Sequence, residues 1–129
     1  MDGKYLLDSS VIIDIFKQIP ATLNRIQNAK QIFLPATALG ELYFGAYKSS
    51  RFDKHFVEVK DLVGNGNVIK CDEETAKVYG RIKYQLKVNG TPIPENDIWI
   101  AAIAIQYGLT LANRDKHFDL ISELKQEKW

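Results

Sequence analysis

The hydrophobic positions of this chain form short apolar runs and longer stripes with a helical spacing. The runs predict buried strands at residues 5–7, 32–34, 68–71 and 109–112, with a fifth strand near Trp129. The stripes, such as Phe52, Phe56 and Val59, predict helices between the strands, at about residues 11–17, 37–46, 51–63, 72–88 and 98–107. Strands that alternate with helices indicate an α/β fold whose mainly parallel sheet of four to five strands carries helices on both faces.

Polar residues at the expected helix starts are candidate N-caps. Those candidates are Ser9 or Ser10, Thr37, Asp72 and Asn96. The helix that follows Asp72 has two further acids in its first turn and is predicted to end at Asn89 and Gly90.

Composition narrows the class of protein. The 129 residues are 46% hydrophobic and 26% charged, which is typical of one globular domain spanning residues 1–129. No apolar run approaches the roughly 20 residues of a membrane helix. The single Cys71 excludes an internal disulfide and is compatible with a reducing cytoplasm. With 17 basic and 16 acidic residues the formal net charge is +1, so there is no overall attraction to nucleic acid.

Four carboxylates lie where a parallel sheet would bring ligand-binding residues together. Asp8 follows the first predicted strand and Asp115 follows the fourth, while Asp97 lies near the start of the last helix. Glu41 lies about one turn into the helix after the second strand, among apolar residues that predict a buried position. Because open parallel sheets bind ligands beyond the carboxyl ends of their strands, we expect the four side chains to converge.

Each acid alone has an ordinary structural explanation. Asp8 could cap the next helix, Asp97 could interact with a helix dipole, and Asp115 could belong to a turn. Together, four crowded carboxylates repel one another and need a counter-charge. Oxygen ligands favour Mg²⁺ or Mn²⁺, whereas zinc usually recruits His or Cys. His55 and His117 have no such partner at ligand spacing, so we expect structural or surface roles for both.

Magnesium held by carboxylates acts mostly on phosphate esters, so the pattern predicts phosphodiester hydrolysis. The chain resembles the PIN-domain nucleases, in particular the VapC-type ribonuclease toxins, in four segments. These segments are residues 6–14, LLDSSVIID; 39–42, LGEL; 95–102, ENDIWIAA; and 111–118, LANRDKHF. The resemblance covers nearly the whole chain and implies a three-layer α/β/α PIN-like fold that cuts RNA and leaves a 5′ phosphate.

The resemblance also implies a role for each of the four acids. Asp8, Asp97 and Asp115 would hold one or two Mg²⁺ or Mn²⁺ ions. Glu41 would be a further ligand or a base that orients the attacking water. The four acids together are the expected catalytic and metal-binding residues.

Residues beside these acids are given supporting roles by the same resemblance. Ser9 would orient Asp8 or a water bound to the metal. Asn113, where the family commonly has Thr or Ser, would form a supporting hydrogen bond. Glu95 and Asp14 are additional acids near the site, although Asp14 is better explained as a solvated helix residue.

Basic residues suggest where RNA would bind. Lys83 and Lys87 lie one turn apart in a predicted helix that contains four cations, and such residues attract phosphates without sequence preference. A solvated helix face explains them equally well. Arg114 and Lys116 flank Asp115 and are better placed to meet a substrate phosphate.

Aromatic residues are concentrated in the second and third predicted helices and the segment that joins them. They are Tyr43, Phe44, Tyr47, Phe52 and Phe56. We expect most of them to pack in the core, with a docking groove as the alternative. The resemblance implies such a groove near Glu41 for the C-terminal segment of a VapB-type antitoxin. It also implies a homodimer.

Two other functions remain open for this sequence. A housekeeping nuclease of the same fold would process RNA or DNA ends without acting as a toxin. A domain without catalytic activity would keep the fold as a binding scaffold, although the presence of all four acids argues against it. Receiver-type α/β domains have a similar length, but they usually carry adjacent acids near the first strand, which Leu7 and Ser9 replace here.

Overall fold

The computed structural model describes residues 3–129, so Met1 and Asp2 of the predicted domain lie outside the described residues. The strands are β1 (Lys4–Leu7), β2 (Gln31–Pro35), β3 (Asn67–Ile69), β4 (Thr110–Asn113) and β5 (Gln126–Lys128). The helices are α1 (Ser9–Phe16), α2 (Pro20–Asn28), α3 (Ala36–Lys48), α4 (Phe52–Gly64), α5 (Glu73–Val88) and α6 (Glu95–Tyr107), with a 3₁₀ helix at Lys116–Leu120.

The five strands form one sheet in the order β3-β2-β1-β4-β5, and every neighbouring pair is parallel. This confirms the α/β prediction and the weak fifth strand near Trp129. In the central pair, Leu7 of β1 is in register with Ala112 of β4. Because β1 and β4 are neighbours, Asp8 and the residues that follow Asn113 leave the sheet at the same edge.

The core is built on the central strands and on α6. Leu6 and Leu7 of β1 are completely buried, and so are Ile100 and the neighbouring residues of α6 through Ala104. A helix that is apolar on nearly all sides is stable only when it is surrounded by protein, which fixes α6 against the sheet. Gly108 ends α6 with a left-handed φ of 64°, a conformation that glycine adopts without strain.

Three of the four predicted N-caps are wrong, because the helices begin earlier than the polar residues suggest. The N-cap residues observed are Asp8 for α1, Pro35 for α3 and Pro94 for α6, in place of Ser9 or Ser10, Thr37 and Asn96. Strands β1 and β2 lead into their helices without a loop. The N-cap is therefore the residue that follows β1, Asp8, and the last residue of β2, Pro35. The cap at Asp72 is confirmed, since its side chain accepts a hydrogen bond from Thr75 N.

Helix α2 was not predicted from the sequence. Its large apolar residues are Leu23 and Ile26, too few to form the longer stripe seen in the predicted helices, although Ile26 packs against the core. Pro20 at its first turn fixes a helical φ at a position where no backbone N–H is needed. The helix is anchored by tertiary contacts that the local pattern does not reveal.

Candidate active site

Asp8 lies directly after β1, in the middle of the sheet edge. Its backbone N–H donates to Ala112 O at 3.0 Å, which continues the pairing of β1 with β4. The side chain is buried, with 4% exposed, and makes no capping hydrogen bond to α1. Oδ2 accepts a hydrogen bond of 2.8 Å from the Ser10 hydroxyl. Oδ1 is buried and has no hydrogen-bond partner among residues 3–129.

Asp97 and Asp115 meet at the imidazole of His117. Nδ1 of His117 lies 3.1 Å from Oδ2 of Asp97 and 3.0 Å from Oδ1 of Asp115. One ligand atom from each of these three side chains lies within 4.8 Å of the other two. The sequence did not predict this contact of His117 with the two acids, although the side chain is 45% exposed, as a surface role would require. His55 pairs with Glu58 on its own helix at 2.8 Å.

Glu41 connects three helices at the edge of this cluster. Its Oε2 accepts a hydrogen bond of 3.2 Å from the Ser9 hydroxyl at the start of α1. Its Oε1 accepts one from the amide of Asn96 in α6, and the same amide donates to Thr37 O at 3.1 Å. Glu41 is exposed, so the prediction that it is buried is wrong. Its carboxylate binds Ser9 and Asn96, which lie at the starts of α1 and α6, and these hydrogen bonds keep it at the surface.

Crowding and burial oppose ionisation of the central carboxylates. Burial raises the pKa of Asp8 despite the hydrogen bond from Ser10, and the charge of Glu41 raises it further. Burial also raises the pKa of Asp97 to about 6; the hydrogen bond from His117 lowers it, and the charges of Asp8 and Asp115 raise it. Asp8, Asp97 and Asp115 therefore bring negative charges close together, and the cations among the described residues do not fully balance them.

Asn113 fixes the loop that carries Asp115. Its buried amide oxygen accepts hydrogen bonds from Asp115 N at 3.1 Å and from the Lys128 ammonium at 2.8 Å. Asp115 in turn accepts a hydrogen bond of 2.9 Å from His117 N and so caps the 3₁₀ helix. These contacts set the direction in which the carboxylate and the imidazole point.

The donor set fits a divalent cation. Asp8, Asp97 and Asp115 offer carboxylate oxygens, which are preferred ligands of Mg²⁺ and Mn²⁺. The unpartnered Oδ1 of Asp8 is the observation that tests this fit, because a buried carboxylate oxygen without a partner costs free energy unless something binds it.

Comparison with known proteins agrees with this architecture. A family model described as the PIN domain matches residues 5–124. The chain belongs to the PIN-domain family. The resemblance inferred from the four sequence segments is thereby confirmed, and so is the three-layer PIN-like fold.

Several relatives of this PIN domain carry the name VapC. Ribonuclease VapC2 of Haemophilus influenzae is 33% identical over 129 residues, with 98% of both chains covered. The tRNA(fMet)-specific endonuclease VapC of Salmonella typhimurium is 27% identical over 129 residues, again with 98% of both chains covered. Among solved structures, the DNA-bound VapBC of Salmonella typhimurium has a TM-score of 0.91 and 26% identity, and 98% of each chain is covered.

Two acids that were predicted near the site have partners elsewhere in the PIN domain. Asp14 is buried and lies 2.6 Å from a guanidinium nitrogen of Arg114, with the Thr22 hydroxyl at 3.3 Å. The interpretation of Asp14 as a solvated acid is therefore wrong. Glu95 is exposed and pairs with Lys83 and Tyr79 on α5.

Two of the basic residues that were predicted to bind RNA form ion pairs with acids of the same domain. Arg114 is engaged by Asp14 and also donates to Ser10 O at 3.4 Å, and Lys83 is paired with Glu95. Lys87 and Lys116 are exposed, with no ion-pair partner in the described part of the chain. Lys116 directly follows Asp115 in the chain.

The aromatic residues of α3 and α4 do not enter the core, so that expectation is wrong. Tyr43 and Phe56 are half-buried with ring centroids 5.1 Å apart, while Phe44 and Tyr47 are mostly exposed. Their rings pack against one another between α3 and α4 instead of against the sheet core.

An apolar groove lies beside this layer, between α1, α3 and α4. We call it the α1–α3–α4 groove; it has a volume of about 530 Å³ and reaches Glu41. Its apolar lining comes from Ile13, Phe16, Leu42, Ala46 and Val59. None of the helices in residues 3–129 has the length and hydropathy that a bilayer span requires.

Proposed function

We propose that this PIN domain is a metal-dependent endoribonuclease and the toxin of a VapBC-type toxin–antitoxin pair. The observation that carries the proposal is the cluster of Asp97, Asp115 and His117, beside Asp8, whose charge acts on Asp97 and whose buried Oδ1 has no hydrogen-bond partner within residues 3–129. Membership of the PIN-domain family and the relatives named VapC support the choice of RNA as substrate.

Asp8, Asp97 and Asp115 are the residues that would hold Mg²⁺ or Mn²⁺. When bound, such an ion supplies Lewis acidity that activates water and stabilises charge on phosphate oxygens. The raised pKa values of Asp8 and Asp97 support this assignment, because both carboxylates lie where a positive charge would favour their ionised forms.

Glu41 is suited to orient the attacking water and accept its proton. Hydrogen bonds from Ser9 and Asn96 fix the carboxylate while it stays exposed to solvent. The water oxygen forms a bond to phosphorus and the bond from phosphorus to the 3′ oxygen breaks. The products are a 5′ phosphate and a 3′ hydroxyl, whose proton comes from solvent. Lys116 would attract the phosphate that enters the site.

A VapB-type antitoxin is the proposed partner, and the α1–α3–α4 groove is its proposed binding site. An apolar side chain of the antitoxin would fill the groove, and the chain that follows would extend toward Glu41. Structures similar to this chain are described as VapBC complexes, which supports a partner of this kind.

The function also implies a cytoplasmic location, where cellular RNA is found. The exposed, unbridged Cys71 is compatible with that reducing compartment.

We also propose a homodimer that forms through α5 and the 3₁₀ helix. The exposed apolar side chains Tyr84, Val88 and Leu120 border a cavity of about 330 Å³ there. Light scattering on the purified protein should give a dimer mass, and Val88→Asp should give a monomer. Val57→Asp, which changes another exposed valine, on α4, should leave the dimer intact. A wild-type monomer at micromolar concentration would contradict the homodimer.

The function is tested with purified protein and total cellular RNA. We expect cleavage that requires Mg²⁺ or Mn²⁺, stops with EDTA and leaves 5′ phosphates. Expression in a bacterium should arrest growth, and co-expression of the small protein encoded beside it should relieve the arrest. Cleavage without growth arrest would favour a housekeeping nuclease, and an inability to bind Mn²⁺ would favour a scaffold without catalytic activity.

A further inference from the structure

The imidazole of His117 is placed between two of the carboxylates that would hold the ion. Its Nδ1 lies 3.1 Å from Asp97 Oδ2 and 3.0 Å from Asp115 Oδ1. Adjacent ligand atoms in an octahedral site with bonds of about 2.1 Å are separated by about 3 Å. The spacing of the three donor atoms is therefore compatible with one shared cation.

The backbone keeps the imidazole in this position. His117 N donates to Asp115 Oδ1 at 2.9 Å, so the carboxylate caps the turn that directs the His117 side chain back toward Asp97. Asp115 itself is held through its backbone N–H by Asn113. The nitrogen is thus oriented by the same loop that orients the carboxylate.

Nearby cations are occupied with other groups. Arg114 binds Asp14 on α1. Lys128 binds the side-chain oxygen of Asn113, the carbonyl of Asp115 and the carboxylate of Asp119. Neither cation pairs with the carboxylate of Asp97 or Asp115. Asp8 is close enough for its charge to act on Asp97, and its buried Oδ1 has no hydrogen-bond partner in the described part of the chain. A bound cation would satisfy both the crowded carboxylates and this oxygen.

We propose that His117 is a nitrogen ligand of the divalent ion, together with Asp97 and Asp115. The proposal rests on the metal-dependent function given above and specifies which ion works there. Imidazole binds first-row transition ions more strongly than it binds Mg²⁺, which prefers oxygen. A site with one imidazole therefore selects Mn²⁺ over Mg²⁺.

Electron spin echo spectroscopy of Mn²⁺ bound to the full chain tests the nitrogen ligand directly. We expect modulation from a directly bound ¹⁴N in the wild type. The His55→Gln variant retains His117 as its one histidine, so labelling that variant with ¹⁵N-histidine should change the modulation and assign it to His117. This part of the experiment needs no change in the site.

Metal titrations provide the matched comparison. His117→Gln should lose the nitrogen signal and weaken Mn²⁺ binding at least about tenfold, with a change of less than about threefold for Mg²⁺. His55→Gln should bind both ions like the wild type, because His55 binds Glu58 on α4.

Each outcome separates this proposal from the function on which it rests. Tight Mn²⁺ binding without nitrogen modulation would overturn the role of His117 and leave a carboxylate site intact. Equal loss of Mn²⁺ and Mg²⁺ affinity in His117→Gln would also contradict the proposed selectivity. Failure of the wild type to bind either ion would overturn the metal-dependent function itself.

Discussion

Asp97 has an unfavourable position for a charged side chain at the sheet edge. Its side chain is 14% exposed, and Asp8 and Asp115 add negative charge to the burial that raises its pKa to about 6. Protonated Asp97 stabilises the metal-free fold below the unfolded pKa of about 4, and this contribution is lost as the pH rises through about 6. At neutral pH the ionised side chain therefore destabilises the metal-free protein.

Replacing Asp97 with Asn should separate stability from activity. At pH 7 we expect the free energy of unfolding of metal-free protein to rise by on the order of 1 kcal/mol, because a crowded charge is removed. RNA cleavage should fall by more than about 100-fold, since a ligand of the ion is lost. Urea unfolding and cleavage assays measure the two effects. Asp61→Asn, on the exposed side of α4, should change neither, and full activity of Asp97→Asn would contradict the assignment.

Lys116 provides a second test at this scale. Lys116→Glu should weaken RNA binding and reduce the slope of log affinity against log salt by about one, because one phosphate contact is lost. Lys83→Glu should have a smaller effect, since Glu95 already neutralises Lys83. Fluorescence anisotropy at several salt concentrations distinguishes the two variants. Equal effects would show that the pairing with Glu95 does not matter.

The acids at the ends of β1 and β4 could be predicted because strand ends in a parallel sheet have a known direction. His117 was missed because its approach to Asp97 depends on a single 3₁₀ turn, which no local pattern specifies. Its position two residues after Asp115 was the one available signal. The burial of Asp14 was missed because Arg114, its partner, is 100 residues away in the chain.

At the scale of elements, one ion pair joins α1 to the loop that carries Asp115. Asp14 is 6% exposed and Arg114 is 46% exposed, so the pair is buried on one side and solvated on the other. Thr22 adds a hydrogen bond from α2 to the same carboxylate. The contact therefore contributes to holding the unpredicted helix α2, together with the packing of Ile26 against the core.

Removal of Arg114 should loosen this connection. We expect Arg114→Ala to lower the free energy of unfolding by about 1–3 kcal/mol, because the largely buried carboxylate of Asp14 loses its cation. The loss is smaller than for a fully buried pair, because solvent reaches the exposed side of Arg114 and weakens the interaction. The double variant with Asp14→Asn should recover part of that loss, as measured by urea unfolding. Additive losses in the double variant would show that the two side chains do not interact.

At the scale of the whole molecule, the α1–α3–α4 groove and the sheet edge are neighbouring surfaces that share Glu41. A segment bound in the groove would therefore lie next to Glu41. This arrangement allows an antitoxin to block the site while its apolar anchor binds elsewhere.

Gly45 lines the groove, and a Cβ at this position meets no atom within 4 Å. Gly45→Gln should keep the fold, remain active on RNA and bind the antitoxin at least about tenfold more weakly, as calorimetry would show. Gly64→Gln at the end of α4 is the matched control, because this helical glycine is equally open and lies outside the groove lining. Unchanged antitoxin affinity in Gly45→Gln would place the partner on another surface.

The order of the strands also has a consequence for synthesis. β1 is made first but lies at the centre, and its neighbour β4 is made only after more than a hundred residues have been translated. A nascent chain that stops before β4 lacks both Asp115 and one side of the sheet around β1. Translation that stops before the codons of β4 therefore releases a fragment that cannot assemble the carboxylate cluster. Incomplete synthesis of this chain would produce no active site.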